Sequence, residues 1–333
     1  MSIATSPAAK FPFIKTNINR IMKQAIGIDL GGTSIKYALV SEAGDVRFEG
    51  KLPSRADESA EAVLEQLSRA ADAVLHSARN EGLDGDITGI GLGTPGIVDT
   101  DGRRVLGGAE NIKGWEQIDV ATPLELHTGL KVRVNNDANL MGLGETRYGA
   151  GRGCTHVVFL TVGTGIGGAI IIDGHLFSGY GGRGTELGHT PLIANGEQCN
   201  CGATGCLEHY ASTSALVRRF SSLAQQEGLA LDRPADGELI TRLYLEGQPL
   251  AVKCMEEHFY YLGRGIAGFI NIFSPQRVVI GGGICEAGDF YIEQLRRVVA
   301  GQVIPSCACQ TEIVRATLGN RAGLVGAASL VLE

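Results

Sequence analysis

No apolar run in the 333-residue chain approaches the roughly 18 residues needed to span a membrane. Residues 1–23 also lack the apolar centre of a secretory signal. There is no acidic or basic block: the net charge of −7 is dispersed, so nothing favours a nucleic-acid or membrane surface. The P-loop pattern G-x-x-x-x-G-K-[ST] is missing. The 48 glycines follow no triplet period, which excludes a collagen-like chain. Cys154, Cys254, Cys285, Cys307 and Cys309 show no disulfide-scaffold spacing, and a reducing cytoplasm is the expected setting. Cys307 and Cys309 read as small core residues near a strand. With these classes removed, 44% apolar and 20% charged residues describe a globular chain with enough length for two cores.

The stretch that organises the rest is TELGHTPLIANGEQCNCGATGCLE, Thr185 to Glu208. Cys199, Cys201 and Cys206 form a C-x-C-x4-C run whose glycines, Gly202 and Gly205, allow the tight turns that bring three sulfurs to one centre. His189, ten residues before Cys199, completes a set of three thiolates and one imidazole, the pattern of a closed structural zinc site. A disulfide or three buried thiols is the competing reading. Glu186 and Glu208 flank the cluster, and a clamped loop would hold both carboxylates rigidly, ready to accept hydrogen bonds from a hydroxyl-rich ligand. Solvated surface glutamates are the plainer alternative.

Along the chain, residues 1–23 carry Lys10, Lys15, Arg20 and Lys23 without an acid and read as a basic arm, with Met22 a candidate functional start. Residues 24–40 read as strand, glycine turn, strand, followed by a third strand over Asp45–Leu52. Ala60, Val63, Leu64, Leu67, Ala71, Val74, Leu75 and Ala78 recur at three and four, predicting an amphipathic helix with Asp57 as its N-cap. A short strand in 87–99 runs into a Gly/Pro turn, and residues 131–149 read as a strand ending at Asn135 and then a helix. Residues 155–177 repeat the opening plan of strand, glycine turn, strand. Mainly helical sequence then runs from about Ser212 to Phe273, before strands at 277–284 and 311–316 and an apolar helix over Ala322–Leu332. Two α/β halves with a ligand cleft between them follow: 24–135, with the C-terminal helix 320–333 assigned to it, and 136–319, containing the metal loop 185–208.

Gly163-Thr164-Gly165-Ile166-Gly167-Gly168 satisfies G-x-G-x-x-G, but a strand follows it where a dinucleotide site needs a helix, which argues against NAD. The amides of Gly163, Thr164 and Gly165 then read as a hairpin turn facing phosphate oxygens. Asp29-Leu30-Gly31-Gly32-Thr33 is the matching turn of the first half. There Asp29 is placed to hold Mg2+ through water, Gly31, Gly32 and Thr33 to meet phosphates, and Lys36 either to add a charge or to sit solvated on the hairpin. Gly281, Gly282 and Gly283 allow close approach of a flat base and ribose. A plain tight turn is the alternative for each.

D-L-G-G-T, G-T-G-I-G-G, E-L-G-H, C-N-C-G-A-T-G-C-L-E and the late G-G-G together resemble the ROK family of bacterial sugar kinases, repressors and open reading frames, over residues 24–333. The resemblance implies the actin-like ATPase (ribonuclease H-like) fold, with ATP in the cleft and a hexose beneath its γ-phosphate. It further implies that Asp137 of V-N-N-D-A-N is the base for the C6 hydroxyl, where spacing alone suggests a helix cap. Asn136, Glu186, His189 and Glu208 become sugar ligands, with His189 serving metal and hydroxyl through different ring nitrogens. Asn111, four residues before Trp115, matches the family pattern only approximately and is assigned to the sugar on that basis. Metal loss is then expected to weaken sugar binding without touching the phosphate site. The expectation is an ATP-dependent hexose kinase acting on glucose. N-acetylglucosamine, N-acetylmannosamine, mannose and fructose are alternative substrates, and a sugar-responsive regulator is the alternative function. Regulators of the family carry an added DNA-binding domain for which these residues leave no room, so no nucleic-acid partner is expected. A homodimer or homotetramer is.

Overall fold

The computed structural model describes residues 22–332. The basic arm read over residues 1–23 lies almost wholly outside the described residues, and the expected start at Met22 turns on them too.

Strands β1 (Gln24–Leu30), β2 (Ser34–Ser41) and β3 (Val46–Pro53) form an antiparallel meander, because apolar runs flank the Gly31-Gly32 turn. Helix α1 (Ala60–Asn80) follows. Its cap is Ser59, whose hydroxyl accepts from the Ala62 N–H, and not the predicted Asp57. Ser59 immediately precedes the first buried position of the apolar stripe, so the cap falls where burial begins. Strand β4 (Ile87–Thr94) lies parallel to β1. The short strands β5 (Ile97–Val98), β6 (Arg104–Gly107) and β7 (Ile118–Asp119) make a separate small sheet, and α2 (Ala121–Thr128) leads to β8 (Val132–Asn136), parallel to β4. The first sheet therefore runs β3-β2-β1-β4-β8.

Helix α3 (Asp137–Tyr148) carries the chain to a second sheet built on the same plan. Strands β9 (Val157–Val162), β10 (Ile166–Ile172) and β11 (His175–Phe177) form its meander. The helices α4 (Leu207–Ala211), α5 (Thr213–Gln226), α6 (Gly237–Leu245) and α7 (Pro249–Phe273) follow. Strand β12 (Arg277–Gly281), α8 (Asp289–Ala300), α9 (Pro305–Ala308) and β13 (Glu312–Arg315) complete this half, in the order β11-β10-β9-β12-β13. β12 stops at Gly281, short of the predicted Ile284, because Gly282 turns the backbone to φ 95°.

The last described helix, α10 (Ala322–Leu332), returns to the first sheet. It packs almost backbone to backbone on β1 and β4: a Cβ on Gly27 would stand 2.2 Å from the Leu324 carbonyl oxygen, and one on Gly91 1.7 Å from that of Ala327. Helix α3 meets α10 as closely, since a Cβ on Gly326 would fall 1.8 Å from the Leu140 carbonyl oxygen. α3 also packs on β9 and β10, so α3 and α10 join the two sheets.

Glu145 holds these two crossings together. Its carboxylate is fully buried on α3 and accepts from the amides of Ala150 (2.8 Å), Thr317 (3.0 Å) and Leu318 (2.7 Å), the last two on the segment entering α10. Removing it would take the acceptor from three part-buried N–H donors, each costing up to about 1–3 kcal/mol. Glu145→Ala is therefore expected to lower unfolding free energy by roughly 3–5 kcal/mol. Urea titration measures it, and a loss below about 1 kcal/mol would show that the amides find other partners.

Candidate active site and metal centre

Three carboxylates from distant parts of the sequence gather at the end of the first sheet. Asp29 lies on β1 and is almost fully buried. Asp137 is the first residue of α3, held there because β8 ends at Asn136. A Cβ built on Gly93 of β4 would lie 3.7 Å from both Asp29 Oδ1 and the Asp137 Cα, so the missing side chain keeps the space between them open. Gly323, at the start of α10, gives Asp29 similar room, with its carboxylate 3.0–3.2 Å from a Cβ there. Glu186 approaches from the loop after β11.

Burial and these neighbours set the electrostatics. Burial pushes the Asp137 carboxyl from its ordinary 3.8 up to about 6, with the Asp29 and Glu186 charges adding to the rise and the Ala138 N–H, 2.8 Å from Oδ1, opposing it. Burial also raises Asp29, against the pull of the Lys36 charge. Asp137 is not the helix cap that its position suggests. The cap is Asn136, whose Oδ1 accepts from the Asn139 N–H at 3.1 Å while its Nδ2 donates to the Gly96 carbonyl at 3.1 Å. Only one Asn136 Nδ2–H is left for a ligand, and the Asp137 carboxylate, though not the cap, still accepts from the first-turn Ala138 N–H through Oδ1.

The metal-loop residues converge. The ligand atoms of His189, Cys199, Cys201 and Cys206 all lie within 4.8 Å of one another. Cys199 Sγ is 3.7 Å from His189 Nδ1, and Cys201 Sγ is 3.6 Å from Cys206 Sγ. A tetrahedral zinc with Zn–S bonds near 2.3 Å has edges of about 3.8 Å, so the donor set fits that ion and the sulfurs are too far apart for a disulfide. Gly202 and Gly205 take φ of 91° and 74°, and a Cβ on Gly205 would stand 1.9 Å from the Ile193 carbonyl oxygen, so both positions require glycine. With Nδ1 turned to the thiols, His189 Nε2 is the nitrogen left for another partner.

A cavity of 1130 Å³ lies beside the second sheet. Gly163 and Thr164 of the β9–β10 turn and Gly283 after β12 line it. The Gly163 amide is spent within the turn on the Gly165 carbonyl (2.9 Å), which corrects its assignment as a phosphate contact. Gly282 approaches Val162 so closely that a Cβ would stand 2.1 Å from its carbonyl oxygen, while Gly281 packs under the Phe159 ring. In the first-half turn, the Gly31 amide closes the hairpin on Ser34, Thr33 is exposed, and Lys36 Nζ reaches Asn320 Oδ1 at 3.5 Å. Asn111 is exposed, its Nδ2 3.2 Å from a Cβ on Gly32, so it borders this turn. Trp115, fully buried, anchors that loop by donating from Nε1 to Thr94 Oγ1 at 2.8 Å.

The opposite wall of the cavity comes from α5 and α6, including Thr213, Arg218, Thr241 and Arg242, none of which the sequence reading named. These residues carry no phosphate motif. Their only sequence mark is the pair of helix starts at Ser212 and Asp236, both side chains serving as caps. Glu208 corrects a further expectation. Its Oε2 accepts from the Ile166 N–H at 2.8 Å and would lie 2.4 Å from a Cβ on Gly165, so the metal loop is bonded to the β9–β10 turn rather than independent of it.

The profile of the ROK family matches residues 25–333. The chain belongs to the ROK family. Among ROK relatives, a glucokinase of Thermotoga maritima is 36% identical over 317 residues, 92% of this chain and 97% of that protein. A ROK family glucokinase from Streptomyces griseus, solved in complex with glucose and AMPPNP, aligns at a TM-score of 0.78 and 33% identity, covering 92% of this chain and 99% of its own. The similarity extends to a xylose repressor of Caldicellulosiruptor bescii, 31% identical over 324 residues, 95% of this chain and 80% of that protein. The paired sheets of the ROK chain are the actin-like ATPase fold of these structural neighbours. No helix among its described residues is long and apolar enough to cross a membrane.

Proposed function

We propose that this ROK chain is an ATP-dependent hexose kinase that phosphorylates the C6 hydroxyl of glucose, with Asp137 as the general base. The observation that carries the reading is the place of Asp137 at the start of α3, with Asp29 Oδ1 and the Asp137 Cα both bordering the gap that Gly93 leaves and the Glu186 charge near enough to raise the Asp137 carboxyl. A hydroxyl attacking a phosphorus atom must lose its proton as the O–P bond forms and the bond to the ADP oxygen breaks. Asp137, ionised above about pH 6, accepts that proton, while positioning supplies most of the remaining rate. Glu186, Glu208, His189, Asn136 and Asn111 orient the sugar, and Thr164, Gly165, Gly283 and the Gly31–Thr33 turn receive the nucleotide. Mg2+ held at Asp29 would screen phosphate charge, with Lys36 nearby. Zinc on His189, Cys199, Cys201 and Cys206 would fix the His189 tautomer, leaving Nε2–H to donate to a hydroxyl. The glucose and AMPPNP bound by the Streptomyces griseus relative support the choice of ligands.

The test is ATP consumption by the purified protein against glucose, mannose, fructose, N-acetylglucosamine and N-acetylmannosamine with Mg2+ present. Turnover greatest with glucose supports the reading, and turnover greatest with another hexose keeps the kinase but changes the substrate. The 31% identity to a xylose repressor favours a second reading, a sugar-binding regulator, and hexose binding without turnover would select it. For the kinase, kcat/KM for the sugar is expected to fall about tenfold for each pH step of one below about 6, as Asp137 takes up its proton. A profile flat down to pH 5 would remove Asp137 from the role.

A further inference from the structure

Thr185 is β-branched, yet its φ is 70°, in the left-handed region where such residues are rare and strained. It immediately precedes Glu186. Its hydroxyl has two acceptors within reach, the Gly184 carbonyl at 2.6 Å and Asn139 Oδ1 at 3.0 Å. Asn139 is buried in the first turn of α3, two residues after Asp137. The orientation of its amide follows from its other neighbour. Asn135 Oδ1 accepts from the Asn136 N–H at 2.8 Å and is therefore an oxygen, so Asn139 turns Nδ2 toward it at 3.3 Å and presents Oδ1 to Thr185. A chain of polar contacts thus runs from β8 through the start of α3 to the loop bearing Glu186 and His189. Glycine would hold the same backbone without strain but could not make the contact.

Resting on the kinase reading, we infer that Thr185 and Asn139 form a polar latch that fixes the E-L-G-H loop against the start of α3, making Thr185 a positioning residue for the Glu186–Asp137 pair. The strain at Thr185 is retained because the hydroxyl is needed on this side of the loop. A misplacement on the order of 1 Å at a reacting group costs about 10²-fold in rate.

The experiment compares Thr185→Val, Thr185→Ser and Thr185→Gly. Thr185→Val keeps the shape without the hydroxyl, and its kcat is expected to fall roughly 10–100-fold with KM for ATP unchanged. Thr185→Ser, which restores the hydroxyl, is expected to recover most of the loss. Thr185→Gly relieves the strain and is expected to be more stable than Thr185→Val yet equally impaired. Amide hydrogen exchange on the ligand-free proteins reads the latch without using activity: residues 186–189 are expected to exchange faster in Thr185→Val than in wild type. Unchanged exchange there, or wild-type kcat in Thr185→Val, overturns the latch. An inactive wild type overturns the kinase reading instead and leaves the exchange comparison decisive for the latch.

Discussion

Asp137→Asn is expected to lower sugar-dependent turnover by roughly 10²–10⁴-fold and, at neutral pH, to raise the melting temperature. The two effects have one origin. Asp137 is pushed from 3.8 up to about 6 chiefly by burial, with Asp29 and Glu186 repelling its charge. A carboxyl whose folded value exceeds its unfolded value binds its proton more tightly in the folded state. Its contribution therefore favours folding at low pH, weakens as pH rises from about 4 to about 6, and stays unfavourable above. The gap corresponds to at most about 3 kcal/mol, and partial exposure and relaxation reduce it. Asparagine keeps the acceptor for the Ala138 N–H without the charge. Thermal unfolding at pH 5 and pH 8 checks the sign: the advantage of the variant should be larger at pH 8. An active Asp137→Asn protein would end the assignment, and an inactive one without added stability would end the electrostatic account of it.

The second large effect concerns the metal loop. Cys201 is the exposed member of the four-residue cluster, so Cys201→Ser removes a ligand with little loss of packing. Bound zinc is expected to fall from one per chain to well below that, and KM for the sugar to rise at least 10–100-fold. KM for ATP should rise too, by a smaller factor, because Glu208, two residues after Cys206, holds the Ile166 amide at the base of the turn proposed to receive the nucleotide. Metal analysis with paired KM measurements checks both. Protein stripped of metal by a chelator, still folded and binding hexose as before, would separate the cluster from the sugar site.

What was legible in the sequence was local chemistry. Thiols spaced around glycines, and glycine turns between apolar runs, carry their geometry within a few residues, so His189, Cys199, Cys201 and Cys206 could be grouped before any fold was known. Cap positions were less legible, since Asp57 against Ser59 and Asp137 against Asn136 are candidates of similar propensity one or two residues apart. The far wall of the cavity was hidden because Thr213 and Thr241 reach it through the stacking of α5 and α6, which periodicity does not encode. Glu145 was hidden for the opposite reason. A glutamate in a helix reads as solvated, and only the tertiary path of Thr317 and Leu318 past α3 makes it a buried anchor.

The position of α10 bears on how the protein is made. Strands β1 and β4 leave the ribosome early, but the helix that covers one face of both is synthesised more than two hundred residues later. Until residues 322–332 emerge, the groove lined by Gly27 and Gly91 lacks the helix that fills it among the described residues, and it is open to any apolar segment nearby. The half of the molecule translated first is thus finished last. Its folding is tied to chain completion, and the interval in which a chaperone or a misplaced helix can compete for the groove is set by translation speed.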